Sequence, residues 1–169
     1  QRAYAKRIGA DHFVIDRQVI STTTPHWEKF QLRSLLQDYE RIIYLDTDII
    51  VRPDCLNLFD VVPVGKLGMF NEAPYTDRSR ELLIDTCREY GFKLPDWDGR
   101  YFNSGVMVID KSHAELFRKP EREHFSFYEQ TYLNAVIAKD QIEIHELDYR
   151  FNRMVCMDFL GEDRAASWM

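Results

Sequence analysis

The stretch R-I-I-Y-L-D-T-D-I-I-V-R, residues 41–52, sets four apolar residues, Ile42 to Leu45, directly before two carboxylates one residue apart, Asp46 and Asp48. An unbroken β-branched and aromatic run has no helical period. It fits a strand, Arg41 to Asp46, buried on both faces within a mostly parallel sheet. An unpaired buried carboxylate is costly, so acids at the end of such a strand call for something positive nearby. In open α/β sheets, ligands bind beyond the carboxyl ends of the strands. Asp46 and Asp48 therefore stand where a hard divalent cation and a phosphorylated ligand can meet. The tripeptide alone says less: 16 aspartates in 169 residues give about 1.5 such pairs by chance. A second pair, Asp96-Trp97-Asp98, falls in a loop marked by Pro95 and Gly99. Turns after strands also collect aspartates as helix caps.

Outward from this stretch, composition sets the class. Hydrophobic residues make up 45% and charged residues 30% of the 169, the balance of one folded domain with a real core and not of a disordered chain. The net charge of −6 comes without any basic run, which argues against nucleic acid or an anionic membrane face as partner. No apolar stretch approaches a membrane span. No signal-peptide pattern is present, so the default expectation is a cytoplasmic protein. The three cysteines, Cys55, Cys87 and Cys156, lack C-x-x-C spacing and read as buried reduced thiols.

Taken in order, residues 3–8 read as the end of a helix stopped by Gly9, and His12 to Asp16 as a short strand. Ser21 to Pro25 offers caps for a helix carrying Trp27, Phe30, Leu35, Leu36 and Tyr39. Pro53-Asp54 breaks the chain after the central strand, and residues 56–59 fit one helical turn. Lys66 to Glu72 is a strand, Asp77 to Tyr90 an amphipathic helix, Tyr101 to Asp110 a strand, Phe127 to Lys139 a helix and Ile142 to His145 a last strand. Residues 148–157 are less regular. The alternation predicts an α/β fold with a largely parallel sheet.

Three further places carry chemistry. Asn103-Ser104-Gly105 interrupts a buried strand with two hydrogen-bonding side chains and a residue without Cβ. It is either a β-bulge or a place where a ligand approaches the backbone. Glu129 and Gln130 lie one turn before Leu133-Asn134, as a solvated helix face or as a polar site. Lys29, among apolar neighbours, either aims its cation at a phosphate or snorkels.

Together these pieces resemble the family 8 retaining nucleotide-sugar glycosyltransferases, the group of glycogenin and the bacterial lipopolysaccharide galactosyltransferases. The resemblance rests on W-E-K-F-Q-L at 27–32, R-I-I-Y-L-D-T-D-I-I-V at 41–51, F-N-S-G-V-M-V-I at 102–109, E-Q-T-Y-L-N at 129–134 and L-D-Y-R-F-N at 147–152. Order and spacing match from about residue 25 to 155. It implies the GT-A fold, with an incomplete Rossmann-like core, and transfer of a hexose from a UDP-sugar to a hydroxyl of a carbohydrate, glycolipid or protein-linked glycan.

By that resemblance, Asp46 and Asp48 hold Mn²⁺, or Mg²⁺, together with the donor's diphosphate, with Thr47 between them on the donor side. Hard oxygen ligands suit either ion. Lys29 is implied to contact the donor's phosphate or sugar, and Asn103 and Ser104 to line the sugar pocket. Gln130 is implied beside the anomeric carbon, and Glu129 stands where the family more often has Asp. The two are the catalytic candidates. The family's first nucleotide-binding strand has no counterpart here. Nor does its closing H-x-x-G-x-x-K-P-W-like segment, whose His is a third metal ligand; none of His12, His26, His113, His124 and His145 sits in such a motif. The expectation is one GT-A domain over residues 1–169, a core segment truncated at both ends. Two alternatives stand beside it. One is a donor-binding remnant without turnover. The other is a haloacid-dehalogenase-like phosphatase, which fits poorly because Ile50 occupies the place where that family has Thr or Val.

Overall fold

A computed structural model of the chain describes residues 1–20, 24–76, 80–93, 98–121, 128–155 and 157. Its centre is one sheet of four strands: β1 (Arg41–Leu45), β2 (Leu67–Asn71), β3 (Phe102–Asp110) and β4 (Ile144–Leu147), in the order β1-β3-β2-β4. The sheet is mixed. β3 runs antiparallel to both β1 and β2, and β2 runs parallel to β4. The expected largely parallel sheet is corrected here, for a physical reason. A buried apolar run is dictated by having both faces covered, and that requirement is blind to the direction of the neighbouring strand.

Both faces are covered. Along β3, Met107 and Ile109 enter one core with Trp27, Phe30, Leu36, Phe117 and Leu133, while Val106 and Val108 enter a second with Tyr4, Leu58, Phe70 and Phe151. β1 divides the same way, Ile42 and Tyr44 towards the first core and Ile43 and Leu45 towards the second, as the period of two demands. Its residues are nevertheless only half-buried, because among the described residues β1 pairs with β3 alone. A groove of about 880 Å³ runs along its other edge, walled by residues from 8–18.

The helices are α1 (Arg2–Ile8), α2 (Leu32–Asp38), α3 (Leu58–Val61), α4 (Arg80–Glu89) and α5 (Tyr128–Asp140), with 3₁₀ turns at Pro25–Gln31, Lys111–Phe117 and Tyr149–Phe151. The helix expected after Pro25 is thus a 3₁₀ turn that continues into α2. α5 is buried almost all round, and its Leu133 and Val136 face the sheet's first core while Ala135 meets Leu83 and Cys87 of α4.

The expected strand His12 to Asp16 is not formed. Phe13 and Val14 are 56% and 58% exposed, and a strand-like sequence without a neighbouring ladder has no partner for its backbone groups. β4 lies two residues later than expected, paired with β2 from Ile144. Cys55 and Cys87 are buried free thiols, and burial pushes the Cys55 thiol up to about 11. Cys156, His124, the loop pair Asp96-Trp97 and the first residues of the helix expected from Asp77 lie outside the described residues. Among the described residues, no helix is long and apolar enough to cross a membrane.

The strand ends are stapled by charge. The Arg41 guanidinium donates to Asp110 (2.6 Å) and to the carbonyls of Phe59 and Val62 (2.9 Å each), tying β1 to the end of β3 and to α3. At Gly68 a Cβ would come within 2.6 Å of a Val62 methyl, so β2 and the segment after α3 approach as closely as they do only because that residue lacks one.

Candidate active site

Asp46 follows β1 directly, and its N–H donates to the Gly105 carbonyl at 2.8 Å, which continues the β1–β3 ladder one step past Leu45. The chain then turns, Ile49 N–H returning to the Asp46 carbonyl at 3.1 Å, and this leaves Thr47 and Asp48 exposed at the tip. β3 is irregular beside it. Phe70 pairs with Asn103 but Met69 with Met107, so residues 104–106 bulge against β2 and lean towards β1. Of the two readings of Asn103-Ser104-Gly105, the bulge is formed, and it brings the segment to Asp46.

Gly105 shows why that residue is a glycine. A Cβ there would lie 2.9 Å from Asn103 Oδ1 and 3.1 Å from Asp46 Oδ2, inside ordinary van der Waals contact. The Asn103 oxygen cannot simply step aside, since it already accepts from the Gly105 N–H and from Asn152 Nδ2, each at 2.8 Å.

Lys29 comes from the 3₁₀ turn Pro25–Gln31 and is buried, its side chain only 6% exposed. Its ammonium lies 2.7 Å from Glu129 Oε1 and 3.2 Å from Asp46 Oδ1, and donates to Ser104 Oγ at 2.9 Å. It does not snorkel. Glu129, in the first turn of α5, is equally buried, so the solvated-face reading of that turn is set aside. The Ser104 hydroxyl lies 2.9 Å from Glu129 and 3.3 Å from Gln130, and the Ser104 N–H donates to Gln130 Oε1 at 3.0 Å. Asn134, one turn along α5, accepts from the Phe102 N–H and donates to the Phe102 and Gln130 carbonyls. That clamp fixes the start of α5 against the start of β3.

Two residues of this network went unnoticed in the sequence. The Tyr44 hydroxyl donates to Asp46 Oδ1 at 2.7 Å; burial first, and then the charge of Asp46, hold this phenol far above its ordinary range. Glu72, just beyond β2, is fully buried and accepts from Asn103 Nδ2 at 2.7 Å and Gln130 Nε2 at 3.1 Å. The signal that could have found it is the one used for Asp46, an acid immediately past the end of an apolar strand. Tyr44 offers no such signal, because an aromatic inside a strand reads as core.

Lys29, Asp46, Asn103, Ser104, Glu129 and Gln130 thus form one connected network from four separate segments. Thr47 and Asp48 lie beside it on the turn and, among the described residues, have no side-chain hydrogen bond or ion pair. The groove along β1 reaches Lys29 and Asp46 to Asp48. The charge is lopsided: Lys29 pairs with both Asp46 and Glu129, while Asp48 on the turn and Glu72, bonded to Asn103 and Gln130, add two more carboxylates. Among the described residues no three His, Cys, Asp or Glu side chains gather as a ready cation cage. The donor set is two carboxylates at an open turn. It fits a hard cation that takes two protein oxygens and completes its shell from water and a ligand.

Comparison with known proteins bears on the fold and the family. The chain is 27% identical over 139 residues to general stress protein A of Bacillus subtilis, a match covering 73% of this chain and 44% of that protein. Among solved structures, mouse xyloside xylosyltransferase 1 is similar with a TM-score of 0.51 at 21% identity, covering 88% of this chain and 60% of that one. A glycosyltransferase involved in the glycosylation of the major capsid of PBCV-1 is similar with a TM-score of 0.58 at 16% identity, covering 89% and 72%. The chain therefore spans less than half the length of its curated relative, and its fold is the GT-A glycosyltransferase fold with a mixed sheet. The sequence profile of glycosyl transferase family 8 matches residues 19–158, a span that takes in every segment of the site, and the chain belongs to that family.

Proposed function

We propose that this chain forms the donor site of a retaining glycosyltransferase that moves a hexose from a UDP-sugar to an acceptor hydroxyl, with Mn²⁺ or Mg²⁺ held by Asp46 and Asp48. One observation carries the reading: Lys29 bonds Asp46 and Glu129 at once, which joins the carboxylate turn after β1 to the first turn of α5. A diphosphate entering beside four carboxylates needs more positive charge than one lysine already engaged by two of them. The bound cation would supply that charge as a Lewis acid to the leaving diphosphate.

The remaining work falls to the chain's own residues. Lys29 and Tyr44 hold Asp46 in place, leaving the exposed Asp48 to move to its ligand. The first turn of α5 brings Glu129 and Gln130 to the sugar side, where a neutral amide steadies the positive charge that develops as the glycosidic bond to phosphate lengthens. Glu129, paired with Lys29, contributes through position and field. The phosphatase alternative loses its ground, since the family match covers the carboxylate turn itself.

Kinetics with one UDP-hexose, scoring hydrolysis as well as transfer, test the proposal. Gln130→Ala should lower kcat by about 10- to 100-fold with little change in KM, as expected of an interaction made mainly in the transition state. Asp48→Asn should damage KM and kcat together. Near wild-type turnover in Gln130→Ala overturns its assigned role, and donor binding without turnover in the wild type favours the remnant reading.

A further inference from the structure

We infer that Glu72 is a positioning residue: its buried carboxylate decides which end of the Gln130 and Asn103 amides faces the site, a role that rests on the donor-site reading above. A side-chain amide is nearly symmetric in shape but not in chemistry, one end only accepting and the other only donating. Something must choose between the two orientations, or the site holds a mixture. Glu72 makes that choice for both amides at once. Gln130 Nε2 donates to Glu72 Oε1 at 3.1 Å, which leaves Gln130 Oε1 on the Ser104 N–H at 3.0 Å. Asn103 Nδ2 donates to Glu72 Oε2 at 2.7 Å, which leaves Asn103 Oδ1 on the Gly105 and Asn152 donors at 2.8 Å.

A carboxylate offers two acceptors and no donor, so it forces the same sense on both partners. An amide at this position offers one acceptor and one donor and sets one NH₂ against another. Glu72 is itself anchored. Its N–H donates to the Tyr101 carbonyl at 2.8 Å, and its own carbonyl accepts from Tyr75 N–H at 2.9 Å and Thr76 N–H at 3.1 Å. It is 0% exposed, so water does not compete for its oxygens. The residue thereby couples the end of β2 to the polar turn of α5, opposite the bulge in β3.

The test uses the full ¹⁵N-labelled chain. In ¹H–¹⁵N spectra the side-chain amide pairs of Gln130 and Asn103 should exchange slowly with solvent and lie away from the exposed-amide region. Glu72→Gln should move both signals and lower Tm by roughly 2–8 °C, the cost of leaving one buried donor unsatisfied. It should also lower kcat for UDP-hexose by about tenfold while KM stays within about twofold. The reciprocal pair Glu72→Gln with Gln130→Glu keeps every donor opposite an acceptor, so it should restore Tm and the Asn103 signal. Unchanged amide signals and Tm in Glu72→Gln, or no recovery in the pair, overturn the inference. If Glu72→Gln does not fold, the pair decides: a folded pair supports it and an unfolded pair overturns it. A wild type with ordered amides that neither binds nor turns over UDP-hexose overturns the donor-site reading and with it the catalytic sense of this positioning, while the ordering itself stands on the spectra.

Discussion

Lys29 balances two carboxylates that come from different parts of the chain, and its removal should be felt as lost stability before lost activity. Lys29→Met leaves Glu129 buried and Asp46 partly buried, without their shared cation. Breaking a buried pair in this way costs about 3–5 kcal/mol, and the lower end applies because Asp46 is 35% exposed and screened by solvent. Urea unfolding of the two proteins measures the difference. Gly105 supplies the opposite kind of test, a small addition at a crowded point. Gly105→Ala pushes its Cβ against Asn103 and Asp46, so an overpacking cost of about 1–3 kcal/mol is expected, together with weakened Mn²⁺–UDP binding in calorimetry. Wild-type binding and stability in that variant would mean the bulge relaxes freely. At this scale Asp46 is legible from its place after an apolar strand, whereas Lys29 and Gln130 gain a role in the sequence only through the family resemblance. Glu72 was not, since nothing local in the sequence says that two amides from distant segments will meet it.

Among elements, the junction of β3 with the 3₁₀ turn Lys111–Phe117 carries a pH dependence of its own. His113 is buried there, and its Nδ1 accepts from the Asp110 N–H at 3.1 Å within a reciprocal capping box. Burial holds its pKa below the ordinary histidine value. The unfolded chain therefore binds more protons near pH 6, and stability rises with pH through that region. The contribution is fully present above about 6.5 and is lost as pH falls from there towards the lower folded value. Denaturation midpoints between pH 7.5 and 5 should fall more steeply in the wild type than in His113→Asn, which keeps an acceptor but does not titrate. Equal slopes would contradict this. Existence and type of the long elements were legible from periodicity, and β1, β3 and α5 lie within a residue or two of where they were expected. Strand direction was not legible, since an apolar run reads the same either way. The segment His12 to Asp16 misled because β propensity describes a half-buried surface, and among the described residues this segment has no strand beside it to bury it.

Across the whole molecule, four segments separated by up to a hundred residues deliver their polar side chains to one end of β1 and β3, while the two cores hold the sheet that aims them. We propose that this end binds a cation and a nucleotide diphosphate together. The most direct test is calorimetric titration of Mn²⁺ into the chain with and without UDP, alongside Asp48→Ala. Two carboxylates leave most of the ion's shell to water and ligand, so the predicted result is weak binding alone, markedly tighter binding with UDP, and loss of that gain in Asp48→Ala. Equal Mn²⁺ affinity with and without UDP, or an Asp48→Ala variant that binds as the wild type does, would mean that cation and diphosphate do not share this site.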